Sequence, residues 1–378
     1  MSSLPSATGP VASAVPLAPH PLDSVDLRAR VDHALSAHVD AQRGIVAEVG
    51  EPVLALLDAI SDLLSSGKRL RAAFLYWGYR AFDGSDSSAL IRAASAMEVF
   101  QAAALLHDDV MDNSDLRRGR PTAHRAFAAQ HADASWSGSS QSFGQAAATL
   151  AGDMCLNWCD EMFATSGLPT SHIQRARPTF DTMRTQLMGG QYLDVLTSAK
   201  EWEDLDHEQR LEQCRRVITY KSAKYSIEHP LLIGATAIAA PAPARAALSE
   251  YGLALGEAFQ LRDDVLGVFG DPSQTGKPAG DDLREGKRTV LIAAGLHRGT
   301  DVQAQQIRDL LGKADLDLNQ VDALRETLQS CGAVGDVEAL IDQDCERART
   351  ALAAVPEITT EGHRALSSLI EVSTSRAS

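Results

Sequence analysis

The sequence predicts an all-α fold. Its apolar content is dominated by Ala and Leu with few β-branched runs, which favours helix over sheet. Apolar residues recur at three- and four-residue spacing, and no stretch of useful length alternates with the period of a strand. With 44% hydrophobic and 22% charged residues among 378, most of the chain can bury a core, and wholesale disorder is excluded.

Residues 1–22 are rich in Ala, Pro and Ser and lack the basic-then-apolar order of a signal peptide, so they read as a disordered tail. From Asp23 the pattern turns helical: Val25, Leu27, Val31, Leu35 and Val39 form one stripe. Helices are expected to follow at 50–65, 69–82, 87–112, 142–166, 171–198, 207–225, 243–270, 281–297, 301–313, 317–331, 334–353 and 361–374. The breakers between them are Gly84-Ser85, the Ser/Gly-rich stretch Ser135–Gly144 (read as a flexible loop), Pro169, Pro230, Pro241 with Pro243, Asp271-Pro272 and Gly299. No linker divides residues 23–376, which predicts one large helical domain.

Acidic residues outnumber basic ones 50 to 35, a net charge of −15, which argues against nucleic acid and against a polybasic membrane anchor. No uninterrupted apolar run reaches the ~18–20 residues of a membrane span. The cysteines Cys155, Cys159, Cys214, Cys331 and Cys345 are odd in number and form no CxxC pair, so they read as small buried hydrophobes in a reducing cytoplasm.

The chemistry concentrates in three places. In QAAALLHDDVMDNSDLRRGR, an apolar helix runs into Asp108, Asp109 and Asp112, followed by Arg117 and Arg118. Asp108 and Asp112 are one turn apart, with a rise of roughly 6 Å, so both carboxylates share a face suited to a hard divalent cation. A solvated helix end would read the same way. In FQLRDDVLG, Asp263 and Asp264 again emerge from an apolar helix, with Gln260 on the same face as Asp263, and Lys277 and Lys287 follow as point charges for phosphate. Asp281 and Asp282 suit either that site or a helix cap. Finally, GKRLR sets Lys68 and Arg71 three apart on one face of a starting helix, and Arg117 and Arg118 add bidentate phosphate donors. Two acidic walls and two basic clusters describe a site for two phosphorylated molecules.

On these motifs the sequence resembles the trans-isoprenyl diphosphate synthases of the polyprenyl synthetase family, over roughly Gly67 to Arg288. The resemblance implies an isoprenoid-synthase bundle around a central apolar channel, a homodimer, and three Mg²⁺ per site, held by Asp108, Asp112 and Asp263. It implies an isopentenyl diphosphate site at Lys68, Arg71, Gln101 and Arg118, and an allylic diphosphate site at Arg117, Lys221, Lys277 and Lys287. It also places Asp109 in the first catalytic motif, and Ser222 and Gln260 along the reacting region. The implied reaction is head-to-tail condensation with an allylic primer, dimethylallyl, geranyl or farnesyl diphosphate.

One departure stands out: the second motif ends in Gly267 where the family usually has Asp, so weaker metal affinity is expected on that wall. On the first motif's helix, Ala103 and Ala104 lie about 6–7.5 Å below Asp108 and Phe100 about 12 Å below it. Small residues followed by Phe100 predict a channel that stops near geranylgeranyl, unless Phe100 merely packs in the core. Farnesyl or longer products are the alternatives. A class I terpene cyclase would want an Asn/Asp-Ser/Thr-Glu triad on the opposing helix, a metal phosphohydrolase further His ligands beside His107, and a non-catalytic subunit a degraded first motif. For the homodimer, Met154, Leu156, Trp158 and Met162 offer an apolar face that intrachain packing would equally explain.

Overall fold

Helix follows helix from Leu27 to Thr374 in the computed structural model, which describes residues 25–200, 202, 204–271 and 280–375. The expected tail over 1–22 and Lys277 lie outside the described residues. The elements are α1 (Leu27–Val49), a 3-10 turn (Glu51–Val53), α2 (Leu54–Leu64), α3 (Leu70–Arg80), α4 (Ser88–Met111), the two-residue strands β1 (Leu116–Arg117) and β2 (Arg120–Pro121), α5 (Ala123–Asp133), α6 (Ser140–Ala164) and α7 (Thr170–Ala199). Then come α8 (His207–Val217), a π-helical segment (Ile218–Glu228), α9 (His229–Ala237), α10 (Ala242–Phe269), α11 (Asp281–Arg284), α12 (Val290–Arg298), α13 (Asp301–Leu310), α14 (Leu318–Ser330), α15 (Ala333–Ala353) and α16 (Thr360–Thr374).

Local chemistry sets many of these boundaries. Ser87 opens α4 by accepting a hydrogen bond from the Leu90 amide, and Thr289 does the same for α12 through Ile292. Reciprocal capping boxes, Asp206 with Gln209, Thr300 with Gln303 and Asp317 with Gln320, start α8, α13 and α14. One apolar core runs from Leu27 through Phe100, Phe180, Leu255 and Leu291 to Ile370. Within it α4 is wrapped by α1, α3 and α6, while α10 packs on α15 and on the π-helical segment. By length and composition α4 could cross a membrane, yet 72% of its apolar window is buried inside the bundle. That burial makes it the central core helix.

Four expectations change. The helix read over 207–225 does not stop near Pro230: it widens into π turns over Ile218–Glu228 and continues as α9. Pro230 sits in the first turn of α9, where a missing N–H is tolerated. The stretch read as a loop over Ser135–Gly144 becomes helical at Ser140, because Ser139 is an N-cap whose hydroxyl accepts from the Ser142 amide. The helix expected over 281–297 divides into α11 and α12, separated by a turn with Gly286 at φ +70°. Between 112 and 142, where no element was expected, the chain forms the β1–β2 hairpin and α5.

Candidate active site

The site is a cleft of about 290 Å³ whose walls are the C-terminal ends of α4 and α10, with the π-helical segment behind. Gln101, Leu105 and Asp108 of α4 line it along one helix face, opposite Phe259, Gln260, Asp263 and Asp264 of α10. Lys221, Ser222 and Tyr225 enter from the π turns, and Lys287 from the turn after α11. Residues predicted from three distant stretches thus converge.

On the α4 wall the three aspartates have different roles. Asp109 is buried and is chelated by Arg117, whose Nε donates to both carboxylate oxygens at 2.9 and 3.0 Å and whose Nη2 donates at 2.6 Å. Asp108 Oδ1 accepts from Lys221 Nζ at 3.0 Å and from Gln191 Nε2 at 2.6 Å. Burial alone would raise the Asp108 carboxyl, but the Lys221 and Lys287 ammoniums hold it well below the usual range. Among the described residues Asp112 has no such close partner, its ion pair being with Lys287 Nζ at 3.9 Å. Burial and then the Asp108 charge push it up to about 7.

Lys221 is shared between α4 and α7, its Nζ lying 2.5 Å from Asp194 Oδ2 as well as near Asp108. Lys287 is ringed by Glu285 at 2.9 Å, Asp282 at 3.4 Å and Asp112 at 3.9 Å; these carboxylates outweigh its burial and keep the ammonium charged. On α10, Asp264 is buried and accepts from Gln260 Nε2 at 2.8 Å, whereas Asp263 is exposed to the cleft. Asp263 is therefore the donor on that wall that is open to an ion.

The basic pole has its own scaffold. Lys68 precedes α3 instead of lying within it, and Arg69 takes the left-handed conformation, φ 57°. The buried Arg69 anchors this turn through Asp32 at 2.7 Å and the Leu64 carbonyl. Partial burial lowers the Lys68 ammonium, and the Asp263 charge partly offsets it. Arg71 donates to Tyr225 Oη at 2.8 Å and Ser226 Oγ at 2.7 Å, and Tyr225 Oη donates on to Gln101 Oε1 at 2.6 Å. Arg118 and Gly119 are the two central residues of the β1–β2 turn, both at positive φ (53° and 75°), the geometry of a type I′ hairpin. There Arg118 donates to the Ser66 carbonyl at 2.7 Å, which joins the hairpin to the Lys68 turn. Burial and then the like charges of Arg117, Arg69 and Arg71 lower the Arg118 guanidinium, so this pole favours an anion.

Among the described residues no three His, Cys, Asp or Glu side chains converge into a ready-made metal cluster. The donors nevertheless fit Mg²⁺, which is commonly held by one or two carboxylates and completed by phosphate oxygens and water. Burial and then the Asp108 charge raise Asp112, and a bound cation would offset both.

Several other readings find different places. His107 turns to α6, contacting Thr149 O at 3.2 Å and Asp153 at 3.4 Å, and His124 pairs with Thr122, so neither joins the cleft. Cys155 and Cys159 are fully buried, and burial pushes the Cys159 thiol up to about 12, as expected of inert packing groups. Trp158 and Met162 are buried and Met154 and Leu156 pack on the core, so this face is not free for a partner copy. Exposed apolar residues instead stand at Leu150, Met188, Tyr192 and Val195 on α6 and α7. Phe100 is buried edge-on against Tyr225, with ring centroids 6.3 Å apart. Ala103 is wholly buried, whereas Ala104 is partly accessible. Gln191 and Asp194 were missed in the sequence; their spacing, i and i+3 in GGQYLD, puts both on one helix face.

The polyprenyl synthetase family model matches residues 54–328. A solved geranylgeranyl pyrophosphate synthase from Corynebacterium glutamicum, complexed with isoprenyl diphosphate and magnesium, is 38% identical with a TM-score of 0.87, over 93% of this chain and 98% of that one. A geranylfarnesyl diphosphate synthase from Aeropyrum pernix is 31% identical over 313 residues, 81% of this chain and 89% of that protein. An octaprenyl diphosphate synthase from Escherichia coli is 29% identical over 310 residues, 82% and 86% respectively. Fold, ordered motifs and these likenesses agree: the chain belongs to the polyprenyl synthetase family, the trans-prenyl diphosphate synthases, a family of prenyltransferases.

Proposed function

We propose that the chain condenses isopentenyl diphosphate head to tail with an allylic diphosphate and yields all-trans geranylgeranyl diphosphate. The observation that carries this reading is the two-sided charge of one cleft: aspartates threaded with Lys221 and Lys287 on one side, and Arg71 and Arg118 on the other. Asp108, Asp112 and Asp263 are the residues that would hold Mg²⁺, three ions per site being the family expectation. When bound, the metal neutralises charge on the departing diphosphate. Lys221 and Lys287, with Lys277 outside the described residues, meet the same charge directly, and Arg117 orients the wall by fixing Asp109. Lys68, Arg71, Gln101 and Arg118 hold isopentenyl diphosphate with its double bond toward the allylic carbon. The allylic C–O bond breaks, a C–C bond forms, and the proton lost from the adduct leaves with the released diphosphate, so no side-chain base is required. Leu105, Ser222, Phe259 and Gln260 line the reacting region and keep water from the cation.

The small, partly accessible Ala104 above a bulky, buried Phe100 supports a stop near geranylgeranyl. Exposed apolar residues on α6 and α7 suit a homodimer contact, and five free thiols suit a reducing cytoplasm. Incubating the full chain with isopentenyl diphosphate, Mg²⁺ and each allylic primer in turn, followed by chromatography, tests the reading. No condensation with any primer overturns it, and a farnesyl or longer product overturns the chain length alone.

A further inference from the structure

The cations beside the acidic walls of the cleft are each matched by carboxylates: Lys221 by Asp108 and Asp194, Lys287 by Glu285 and Asp282, and Arg117 by Asp109. Arg288 is different. It lines the same cleft between Lys287 and Thr289, is partly exposed, and forms no ion pair among the described residues. Its backbone is fixed on both sides, because the Cys214 thiol donates to the Arg288 carbonyl at 3.1 Å and Thr289 is the N-cap of α12. Its Nε is buried and has no acceptor among the described residues. The guanidinium carbon lies instead 5.4 Å from the ring centre of Trp202, within reach of the attraction between a cation and an aromatic face.

Trp202 is itself held in place. In the connection between α7 and α8 it is 1% exposed, its Nε1 donates to Gln213 Oε1 at 3.1 Å, and its carbonyl accepts from Arg210 Nε and Nη2 at 3.1 and 3.0 Å. A ring face attracts a guanidinium without supplying an acceptor, so the N–H donors stay available to an oxyanion. A carboxylate in the same place would occupy them. We propose that Arg288 is a further diphosphate-binding residue, on the allylic side of the cleft beside Lys287, and that Trp202 is its positioning residue. The inference deepens the functional reading above and rests on it.

The test uses the full-length chain with Arg288→Gln, Arg288→Lys, Trp202→Leu, Trp202→Phe, and a double variant carrying Arg288→Gln and Trp202→Leu. Calorimetric binding of inorganic diphosphate at constant Mg²⁺ is measured beside thermal melting and the KM for each substrate. Arg288→Gln should weaken diphosphate binding at least about tenfold, the scale of one lost charge-assisted contact, and raise the KM for the allylic primer far more than that for isopentenyl diphosphate. Arg288→Lys keeps the charge without the fork and should fall between. Trp202→Leu should weaken binding about three- to tenfold, and Trp202→Phe, which keeps a ring face, should recover most of that loss. Added to Arg288→Gln, Trp202→Leu should cost no more than about twofold further, because the ring acts through the guanidinium. Diphosphate binding by Arg288→Gln as tight as that of wild type overturns the proposal, and fully additive losses in the double variant overturn the role of Trp202. If Trp202→Leu does not fold, the two Arg288 variants and Trp202→Phe decide: a tenfold loss for Arg288→Gln beside near-normal binding for Trp202→Phe sustains the proposal. Wild type that fails to bind diphosphate with Mg²⁺ would count against the functional reading itself, and the proposal falls with it.

Discussion

Arg117 chelates Asp109, three hydrogen bonds of 2.6 to 3.0 Å joining a guanidinium and a carboxylate that are both largely withdrawn from water. This pair holds the hairpin against the end of α4 and so fixes where Asp108 and Asp112 point. Asp109→Asn would leave the guanidinium buried with only the more distant Asp108, 4.0 Å away, as counter-charge, which costs up to about 3–5 kcal/mol. Arg117→Lys keeps the charge but loses the fork. Denaturant unfolding should show the larger loss for Asp109→Asn, and both variants should lose kcat/KM. Equal stability of all three proteins would remove the pair from this role.

Lys221 stands between Asp108 and Asp194, and burial works against its charge while both carboxylates sustain it. Its Nζ is placed for charge that develops on departing diphosphate. Lys221→Met should lower kcat by about 10²–10³ with a smaller change in the KM for isopentenyl diphosphate, the size found for removing one preorganised electrostatic donor. Asp194→Asn should cost less, because Asp108 still holds the ammonium. Steady-state kinetics with each substrate varied separately checks both.

Asp112 gives a pH dependence with a definite sign. Its carboxyl titrates near 3.8 when unperturbed and is pushed up to about 7 in the folded protein by burial and by Asp108. Between those values the folded state binds a proton that the unfolded state has released. This group therefore lowers the stability of the metal-free protein progressively as pH rises from about 4 to 7, with the full penalty present above 7. Melting curves of metal-free wild type and Asp112→Asn should diverge across that window, the variant gaining relative to wild type toward pH 8. Parallel curves would show that Asp112 ionises normally.

Helix periodicity and the ordered motifs made most of this site legible in advance, because apolar stripes and acidic helix ends are local patterns. Lys221 and Ser222 were legible as motif residues, but the π turns that carry them were not, since a 3.6-residue period cannot register an extra residue per turn. The Asp194 partner of Lys221 lies 27 positions away in a helix of low amphipathic contrast, so only the packing of α7 on the π-helical segment reveals the pair. The closeness of Gly267 and the Asp282 carboxylate was equally hidden, since it joins two separate helices. Trp158 and Met162 failed as a dimer face because an apolar stripe on a helix does not say which neighbour covers it.

The two alanines below Asp108 look equivalent in sequence, but burial separates them, and this gives a chain-length prediction. Ala104 is partly accessible and adjoins Leu105, which lines the cleft; Ala103 is fully enclosed by protein. A large side chain at 104 has somewhere to go, and under the proposed function that place is the path of the growing chain. Ala104→Phe should therefore keep its melting temperature and shift the product toward farnesyl. Ala103→Phe has no free volume and should overpack the core, at about 1–3 kcal/mol, without a defined change in product. Phe100 lies one turn further down α4, buried with its ring edge-on to Tyr225, and is the proposed floor of that path. Phe100→Ala should lengthen the product by at least one isoprene unit while costing about 3–5 kcal/mol of stability, so Phe100→Leu serves as the folded control with an intermediate shift. Chromatography of products from the four variants, read beside their melting curves, decides the matter: an unchanged profile for both Ala104→Phe and Phe100→Ala would place the floor on another helix.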